Sequence, residues 1–296
     1  MKIHVVESIK FSVKQKARLE LLGKVTWFEG VPNEKELFER VEGAEILVAD
    51  WAPIDKVIPK MKVGIKLISL PFTGVSFLPL KEAANKGIKI ANAPGYSTEA
   101  VAEFGIGLMI SAVRKIFKYS KGEPKPEITS TLYGKTLVIL GAGRIGTAVG
   151  NIARSLGMTV VFWKRGENLL KAIKQADVVY SALPLNSETK GLLGKKEFEA
   201  MRKGAYFVTT SHNQIYNHDA LLAALNDNLD GAAIDLEGIN EGDYKSEVYT
   251  CLKGHSKILL TPHIAWKTDY AIRRGYDILI ENIAAFVSGK PTNIVN

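Results

Sequence analysis

Short runs rich in β-branched residues alternate with helical segments along the chain, and this alternation constrains the fold more than any other feature. Apolar runs such as KIHVV (2–6) and TLVIL (136–140) stand between stretches in which apolar residues recur with helical spacing. This pattern is typical of βαβ units, in which helices cover both faces of a mostly parallel sheet. The sequence therefore predicts an α/β protein.

The predicted strands form two arrays with an aperiodic stretch between them. The first array comprises 2–6, 24–28, 44–49, 65–70 and 88–92, and the second comprises 136–140, 159–163, 177–183, 205–210, 231–236 and 257–261. Between the arrays, a predicted helix over 98–119 is followed by KGEPKPEITSTLYGK (121–135), where prolines and polar residues break the helical pattern. A chain of 296 residues is also long enough for two domains.

The arrays set the expected domain boundaries. A dinucleotide-binding fold has six parallel strands with intervening helices, so we expect residues 98–267 to form such a domain. We expect residues 1–97 to form a smaller α/β domain, completed by 268–296, because the amphipathic last helix is predicted to return to the first array. The helical segment VKQKARLELLG (13–23) is predicted to end with Gly23 as its cap.

The formal net charge of +8 raises the question of an anionic partner. Lys and Arg are scattered and no nucleic-acid-binding motif is present, so we interpret the basic residues as solvated surface and expect no nucleic-acid partner. The single cysteine, Cys251, excludes an intrachain disulfide and indicates a reducing, cytoplasmic compartment. We expect no membrane span and no secretion signal, because no long apolar run or signal-like N-terminus is present.

The segment GAGRIG (141–146) is a G-x-G-x-x-G motif in the context that gives this motif its meaning. It directly follows the predicted strand TLVIL and precedes a helical segment, as in dinucleotide-binding proteins. Gly141 permits the tight turn, Gly143 lets a pyrophosphate approach the backbone, and Gly146 allows close packing of helix on strand. The predicted cofactor-binding residues of this turn are Gly141, Gly143, Arg144, Ile145 and Gly146.

The end of the next predicted strand bears on the choice of nicotinamide cofactor. An acidic residue there binds the ribose 2′-hydroxyl of NAD, whereas cationic side chains bind the 2′-phosphate of NADP. This chain has Lys164 and Arg165 at that place, and the nearest acid, Glu167, follows a glycine. We therefore predict NADP, with NAD as the alternative; both cations could instead be solvated loop residues.

Five segments in order resemble the D-isomer-specific 2-hydroxyacid dehydrogenase family, which includes phosphoglycerate dehydrogenases, glyoxylate/hydroxypyruvate reductases and formate dehydrogenases. They are NAPGYSTEAVAE (92–103), GKTLVILGAGRIG (134–146), ALPLNSETKGLLG (182–194), GAAIDL (231–236) and TPHIA (261–265). The resemblance implies two doubly wound parallel-sheet domains, a Rossmann dinucleotide-binding domain and a smaller flavodoxin-like substrate domain. It further implies cofactor contacts from Leu183, Pro184, Thr189, Thr210, Ser211 and Asp235, and a homodimer.

The resemblance implies hydride transfer between the nicotinamide and a small anionic 2-oxo or 2-hydroxy acid, in the cleft between domains. His263, in TPHIA, matches the residue that exchanges the hydroxyl proton, a role suited to imidazole because its ordinary pKa lies near neutrality. No metal is expected.

Two positions depart from the family pattern. The family usually has an Arg in a segment like N-T-x-R-G, and this chain has His212 there, which offers at most one directed donor to a substrate carboxylate. Counting from Asp235, the carboxylate that pairs with the catalytic His falls on Asn240, which carries no charge. The formate dehydrogenase branch also uses an amide there, and a one-residue shift would bring Glu241 into that place. We take His263, His212 and Asn240 as the catalytic set.

A loop of the first domain, PFTGVSF (71–77), resembles the family segment whose backbone amides hold the substrate carboxylate. Thr73, Gly74 and Val75 are its candidate substrate-binding residues, although an ordinary strand-to-helix turn would look the same. Trp266 is a candidate wall of the pocket or a packing residue.

Two functions from different classes follow. The first is an NADP(H)-dependent reductase of a small 2-oxo acid, or the reverse dehydrogenase. The second is a dinucleotide-binding sensor or interaction protein of the same fold with weak or no catalysis, which the changes at His212 and Asn240 favour. A formate dehydrogenase is a weaker option, since its substrate also relies on the missing Arg.

Overall fold

The structure, a computed structural model, describes residues 1–61, 64–122, 125, 127–237 and 244–296. The strands are β1 (Lys2–Val5), β2 (Lys24–Trp27), β3 (Ile46–Val48), β4 (Leu67–Ser69), β5 (Lys89–Ala91), β6 (Thr136–Leu140), β7 (Thr159–Trp163), β8 (Val178–Ser181), β9 (Ala205–Thr209), β10 (Leu229–Asp235) and β11 (Ile258–Thr261). The helices are α1 (Val13–Glu20), α2 (Glu34–Arg40), α3 (Ile54–Val57), α4 (Leu80–Asn85), α5 (Thr98–Val113), α6 (Ile116–Tyr119), α7 (Arg144–Ser155), α8 (Leu169–Lys174), α9 (Lys195–Ala200), α10 (His218–Asp227), α11 (Glu247–Lys253) and α12 (Asp269–Val287).

The described chain divides into two compact units, one of residues 1–97 with 268–296 and the other of residues 98–267. Each unit contains one sheet in which all strand pairs are parallel. The expected α/β class with two parallel sheets is therefore confirmed.

The first unit has the strand order β2-β1-β3-β4-β5, the flavodoxin-like order. Successive side chains of a strand point to opposite faces, so Ile46 and Val48 pack with Leu279 of α12 while Leu47 packs with Ile68 on the other side. The helix α12 thus covers one face of this sheet.

The second unit has the order β7-β6-β8-β9-β10-β11. Leu137 and Ile139 of β6 face a cluster that includes Met109 of α5, while Val138 and Leu140 face the opposite cluster. After β7 the chain passes through the short helix α8 directly to β8 on the other side of β6. Among the described residues no strand lies beyond β7, so this sheet lacks the outermost strand of the full Rossmann order.

Two local expectations were wrong. The predicted helix over 98–119 breaks at Lys115, whose φ is 51°. Lys115 and Lys118 both pair with Glu127, with Nζ–Oε distances of 2.6 and 2.8 Å. These cations lower the pKa of Glu127 to about 2. The periodicity continues through the short helix that follows the break, so the pattern did not reveal it.

The other wrong expectation concerns Gly23. Helix α1 ends three residues earlier, with Leu21 as its right-handed cap, and Gly23 does not have a positive φ. Gly23 is instead required for close approach, because a Cβ there would collide with the backbone oxygen of Met1.

Among the described residues, no helix is both long and apolar enough to span a membrane. Within the same residues, no cluster of His, Cys, Asp or Glu is arranged to hold a metal ion.

Candidate active site

The glycine motif forms the turn between β6 and α7. Gly141 has φ of 102°, which favours glycine, and a Cβ there would lie 2.9 Å from the Ala182 oxygen. A Cβ on Gly146 would collide with the Gly141 oxygen. By contrast, a Cβ on Gly143 would meet nothing within 4 Å. Gly143 is the N-cap residue of α7, and no side chain caps the N-terminus of this helix. The turn therefore leaves open space in front of a helix N-terminus, where backbone N–H groups and the helix dipole favour a phosphate.

The residues that flank this turn differ in exposure. Arg144 is exposed and Ile145 is half-buried. Leu183, from the loop after β8, lies against the turn, since its Cδ2 would be 3.3 Å from a Cβ on Gly141. Pro184 is exposed beside it.

The end of β7 presents two exposed cations, Lys164 and Arg165. Arg165 pairs with Glu188 of the loop after β8 at 2.6 Å, and both side chains are exposed. Glu167 folds back, so that one carboxylate oxygen accepts a hydrogen bond from the Lys164 backbone N–H at 2.9 Å and its carbonyl accepts one from Trp163 Nε1 at 3.0 Å. Glu167, the acid nearest to Lys164 and Arg165, therefore stabilises the turn in which it lies.

Thr189 lies inside the loop after β8. It is buried, its hydroxyl donates to the Pro184 oxygen at 2.6 Å, and the same hydroxyl accepts from the Asn186 N–H at 2.9 Å. These contacts give Thr189 a role in the shape of the loop.

Hydroxyl groups connect the carboxyl ends of β8 and β9. Thr210 Oγ1 lies 2.7 Å from the Tyr180 hydroxyl, and Ser211 Oγ lies 3.1 Å from Ser181 Oγ. Burial raises the pKa of the Tyr180 phenol, so it stays protonated. These bonds fix the backbone that leads into His212.

Asp235, at the end of β10, anchors the backbone around His263. Its carboxylate is buried and accepts hydrogen bonds from the backbone N–H of Ile264 at 3.0 Å and of Ala265 at 2.8 Å, and from Thr261 Oγ1 at 2.6 Å. His263 has φ of 56°, which is uncommon outside glycine and asparagine and is held here by the amides on its C-terminal side. The carboxylate of Asp235 thus positions the His263 loop.

His212 and His263 follow neighbouring parts of the same sheet edge and are both half-buried. The Nδ1 atom of His212 accepts a hydrogen bond from the Gln214 N–H at 3.1 Å, so the neutral ring carries its proton on Nε2. Burial, followed by the charge of His263, lowers the pKa of His212. His212 is therefore a neutral donor where the family has a permanent cation.

Glu237, which sequence reasoning did not single out, lies two residues after Asp235. It forms an isolated parallel bridge with His212, and its carbonyl accepts a hydrogen bond from the Asn213 N–H at 3.0 Å. Burial and the charge of Asp235 raise the pKa of Glu237, while the charge of His263 lowers it. The signal available in the sequence was an acid two positions after Asp235, on the same face of the extended chain.

Asn240 and Glu241 lie outside the described residues. Trp266 is half-buried.

The predicted substrate loop follows β4 in the first unit. Thr73 and Gly74 are exposed and Val75 is half-buried. The Thr73 hydroxyl donates to the Ala93 oxygen at 2.8 Å, and its carbonyl accepts from Asn92 Nδ2 at 2.8 Å. These bonds order the start of the loop and leave its middle open to solvent.

A buried acid outside every motif also shapes the first unit. Glu7 is 1% exposed and accepts hydrogen bonds of 2.7–3.0 Å from three consecutive backbone N–H groups, those of Asp50, Trp51 and Ala52. Burial, followed by the charge of Glu7, raises the pKa of Asp50 to about 7, against a hydrogen bond from the Tyr276 hydroxyl at 3.4 Å.

An open glycine turn at a helix N-terminus, on the same sheet as a loop that presents an anchored histidine, is the arrangement of an α/β dinucleotide-binding enzyme. Residues 106–265 match the family described as D-isomer specific 2-hydroxyacid dehydrogenase, NAD binding domain. The chain belongs to the D-isomer-specific 2-hydroxyacid dehydrogenase family, whose members are oxidoreductases acting on CH–OH groups.

Similar proteins cover nearly the whole chain. It is 30% identical to a glyoxylate reductase of Aeropyrum pernix, over 94% of this chain and 92% of that protein. It is 29% identical to a glycerate dehydrogenase of Methylorubrum extorquens, over 90% of each. A solved acyclic imino acid reductase, Bsp5 in complex with NADPH and D-Arg, matches with a TM-score of 0.84 and 25% identity over 100% of both chains.

Proposed function

We propose that this protein is an NADPH-preferring reductase of a small 2-oxo acid that also catalyses the reverse oxidation. The observation that carries the proposal is the anchoring of His263 by Asp235 on the sheet that bears the glycine turn. The glyoxylate reductase and glycerate dehydrogenase among its relatives support a small substrate of this class. The dinucleotide, when bound, supplies or accepts the hydride.

The preference for NADP rests on Lys164 and Arg165. Two cations and no free carboxylate end β7, and an Arg fork suits the geometry of a phosphate. The similar reductase solved with NADPH supports the same choice, and NAD is the alternative cofactor. The pyrophosphate would contact Gly143, Arg144, Ile145 and Gly146, with Leu183 and Pro184 beside it.

His263 donates a proton to the substrate oxygen during reduction and accepts it during oxidation. His212 donates a hydrogen bond from Nε2 to the substrate. Because a charge-assisted bond from Arg contributes roughly 1.5–3 kcal/mol, the neutral ring binds a carboxylate more weakly than Arg would. We assign Thr210 and Ser211 to cofactor contacts at the strand end that leads into His212, and Asn240 to the orientation of His263.

The first unit is the substrate domain in this proposal, and residues 98–267 are the dinucleotide-binding domain. The backbone amides of Thr73, Gly74 and Val75 bind the substrate carboxylate, which their exposure after β4 supports. The protein acts in the cytoplasm.

We also propose a homodimer. The segment that follows α5 presents Ile116, Ile128 and Tyr133 to solvent, with exposures of 50%, 103% and 77%. Large apolar side chains exposed on one segment favour burial against another protein surface.

A second candidate is a dinucleotide-binding sensor of the same fold. The observation that favours it is the lowered pKa of His212, which leaves no permanent cation at the Arg position. Such a protein would bind NADPH tightly and turn over slowly or not at all.

The test is NADPH oxidation with a panel of 2-oxo acids that includes glyoxylate and hydroxypyruvate, compared with NADH. We expect turnover with NADPH, and the His263→Ala variant should lower kcat/KM by about 10²- to 10⁴-fold because it removes the proton donor. His255→Ala is the matched control, since that ring contacts Asn226 at 3.2 Å on the surface of the same unit. Tight NADPH binding with no turnover across the panel would establish the sensor instead.

A further inference from the structure

Three residues with titratable side chains follow the carboxyl ends of neighbouring strands in the second unit. His212 follows β9, Glu237 follows β10 and His263 follows β11, and these strands are adjacent in the sheet. The backbones of His212 and Glu237 are bridged, and the Asn213 N–H donates to the Glu237 oxygen at 3.0 Å. On the other side, Asp235 holds the backbone just beyond His263. Glu237 is thereby fixed between the two histidines at the level of the backbone.

The surroundings of Glu237 raise its pKa above the ordinary value of a glutamate. The side chain is half-buried, and burial and the charge of Asp235 both favour its neutral form. The charge of His263 acts in the opposite direction.

His212 completes this arrangement. The charge of His263 lowers the pKa of His212, so the site favours one imidazolium rather than two. Continuing the β10–β11 register, in which Asp235 lies opposite Thr261, brings Glu237 level with His263. Among the described residues, Asp235 and His263 are the titratable groups whose charges act on Glu237.

We propose that Glu237 is the carboxylate partner of His263 in this chain, a positioning residue that takes over the role the family gives to an acid at the position of Asn240. The proposal rests on the proposed reductase function. In reduction, a hydride that the bound reduced dinucleotide would supply adds to the carbonyl carbon and the C=O π electrons move to the oxygen. The His263 N–H bond breaks, its electrons stay on the ring nitrogen, and its proton forms the O–H bond of the product. Glu237 stabilises the imidazolium before this step, and the neutral ring recovers a proton from solvent afterwards.

The first experiment is the pH profile of kcat/KM for 2-oxo acid reduction in Glu237→Gln. Reduction requires protonated His263, so removal of the negative charge should move the fall of kcat/KM on raising pH to lower pH by about one unit. That shift corresponds to about a tenfold loss at pH 8 and a much smaller loss at pH 5.5. Glu237→Asp, which keeps the charge, should restore most of the profile.

Two control variants make the result specific. Asp230→Asn removes an exposed acid of the same strand and should leave the profile unchanged. Glu241→Gln removes the other acid that could pair with His263. A shift in Glu241→Gln without one in Glu237→Gln overturns the proposal.

A second measurement does not depend on turnover. The His263 ring is titrated by NMR in the free protein, with its resonances assigned by their loss in His263→Ala. The midpoint should fall to lower pH in Glu237→Gln, and NADPH affinity and the thermal unfolding midpoint should match those of the parent protein. If Glu237→Gln does not fold, the same titration of Glu237→Asp should give a smaller shift in the same direction.

The two measurements separate the pairing from the function. A shifted NMR midpoint in a protein without turnover supports the pairing and refutes the reductase. Turnover with an unshifted profile and an unshifted midpoint supports the reductase and refutes the pairing.

Discussion

At the scale of single residues, buried carboxylates hold the backbone of both units. Asp235 accepts the amides beyond His263, and Glu7 accepts three amides after β3. Such bonds to a charged acceptor contribute roughly 1.5–3 kcal/mol each, enough to hold the left-handed conformation of His263. Asp50 differs, since its half-buried carboxyl is close enough to Glu7 for the charge of Glu7 to raise its pKa.

We predict that Asp50→Asn changes the pH dependence of stability. The folded protein has a pKa of about 7 for Asp50, above its ordinary value of 3.8, so the folded state binds the proton more tightly than the unfolded state. The free energy of unfolding of the parent should therefore fall as pH rises from about 4 to about 7, and Asp50→Asn should remove about 1–3 kcal/mol of that fall. Chemical denaturation at pH 4.5 and 8 measures the difference.

The matched control is Glu42→Gln, which removes an exposed acid from the same unit. It should leave the pH dependence as in the parent. Equal pH dependence in the parent and in Asp50→Asn would show that Asp50 ionises normally in the folded state.

At the scale of elements, the end of β7 and the loop after β8 act together. Arg165 pairs with Glu188 of that loop, and Glu167 closes the turn that carries Lys164. Both cations are exposed, so the ion pair of Arg165 contributes little to stability and leaves that side chain available to a ligand.

The double variant Lys164→Gln, Arg165→Gln should discriminate between the cofactors. We expect the Kd for NADPH to rise about 10- to 100-fold, because charge-assisted bonds to the 2′-phosphate are lost, while the Kd for NADH changes by less than about threefold. Fluorescence titration measures both. Lys171→Gln with Lys174→Gln, which removes two exposed lysines of α8, controls for the general loss of positive charge. An equal rise in the Kd values for NADPH and NADH would refute the 2′-phosphate site.

Strand prediction from the sequence was accurate where each strand is a buried apolar run between turn residues. β6 and β7 have the predicted bounds, 136–140 and 159–163. The break at Lys115 was missed because the helical pattern continues across it into the short helix Ile116–Tyr119. The role of Gly23 was missed because it depends on the backbone of Met1.

At the scale of the whole molecule, the exposed apolar side chains after α5 predict association. Sedimentation equilibrium should give twice the mass of the 32.4 kDa chain. Ile128→Glu should shift this equilibrium toward monomer, because it would bury a charge in an apolar interface. Val13→Glu, which changes an exposed apolar residue of the first unit, is the control. A monomeric parent protein at micromolar concentration would contradict the homodimer.

The sequence by itself determined the α/β class, the two sheets, the glycine turn and the His263 motif. Each of these depends on periodicity or on residues close together in the chain. The glycines are a clear case, since the strand before them and the helix after them suffice to define the turn.

Only the tertiary structure decided which groups surround the carboxylates of the acidic residues. Asp235 is predicted from the family resemblance to contact the cofactor, and the structure adds that its carboxylate accepts hydrogen bonds from Thr261, Ile264 and Ala265 around His263. Glu237 gained a place beside two histidines that are 25 residues before it and 26 after it in the chain. A carboxylate takes its role from the donors and charges that the fold brings to it, and these come from other strands.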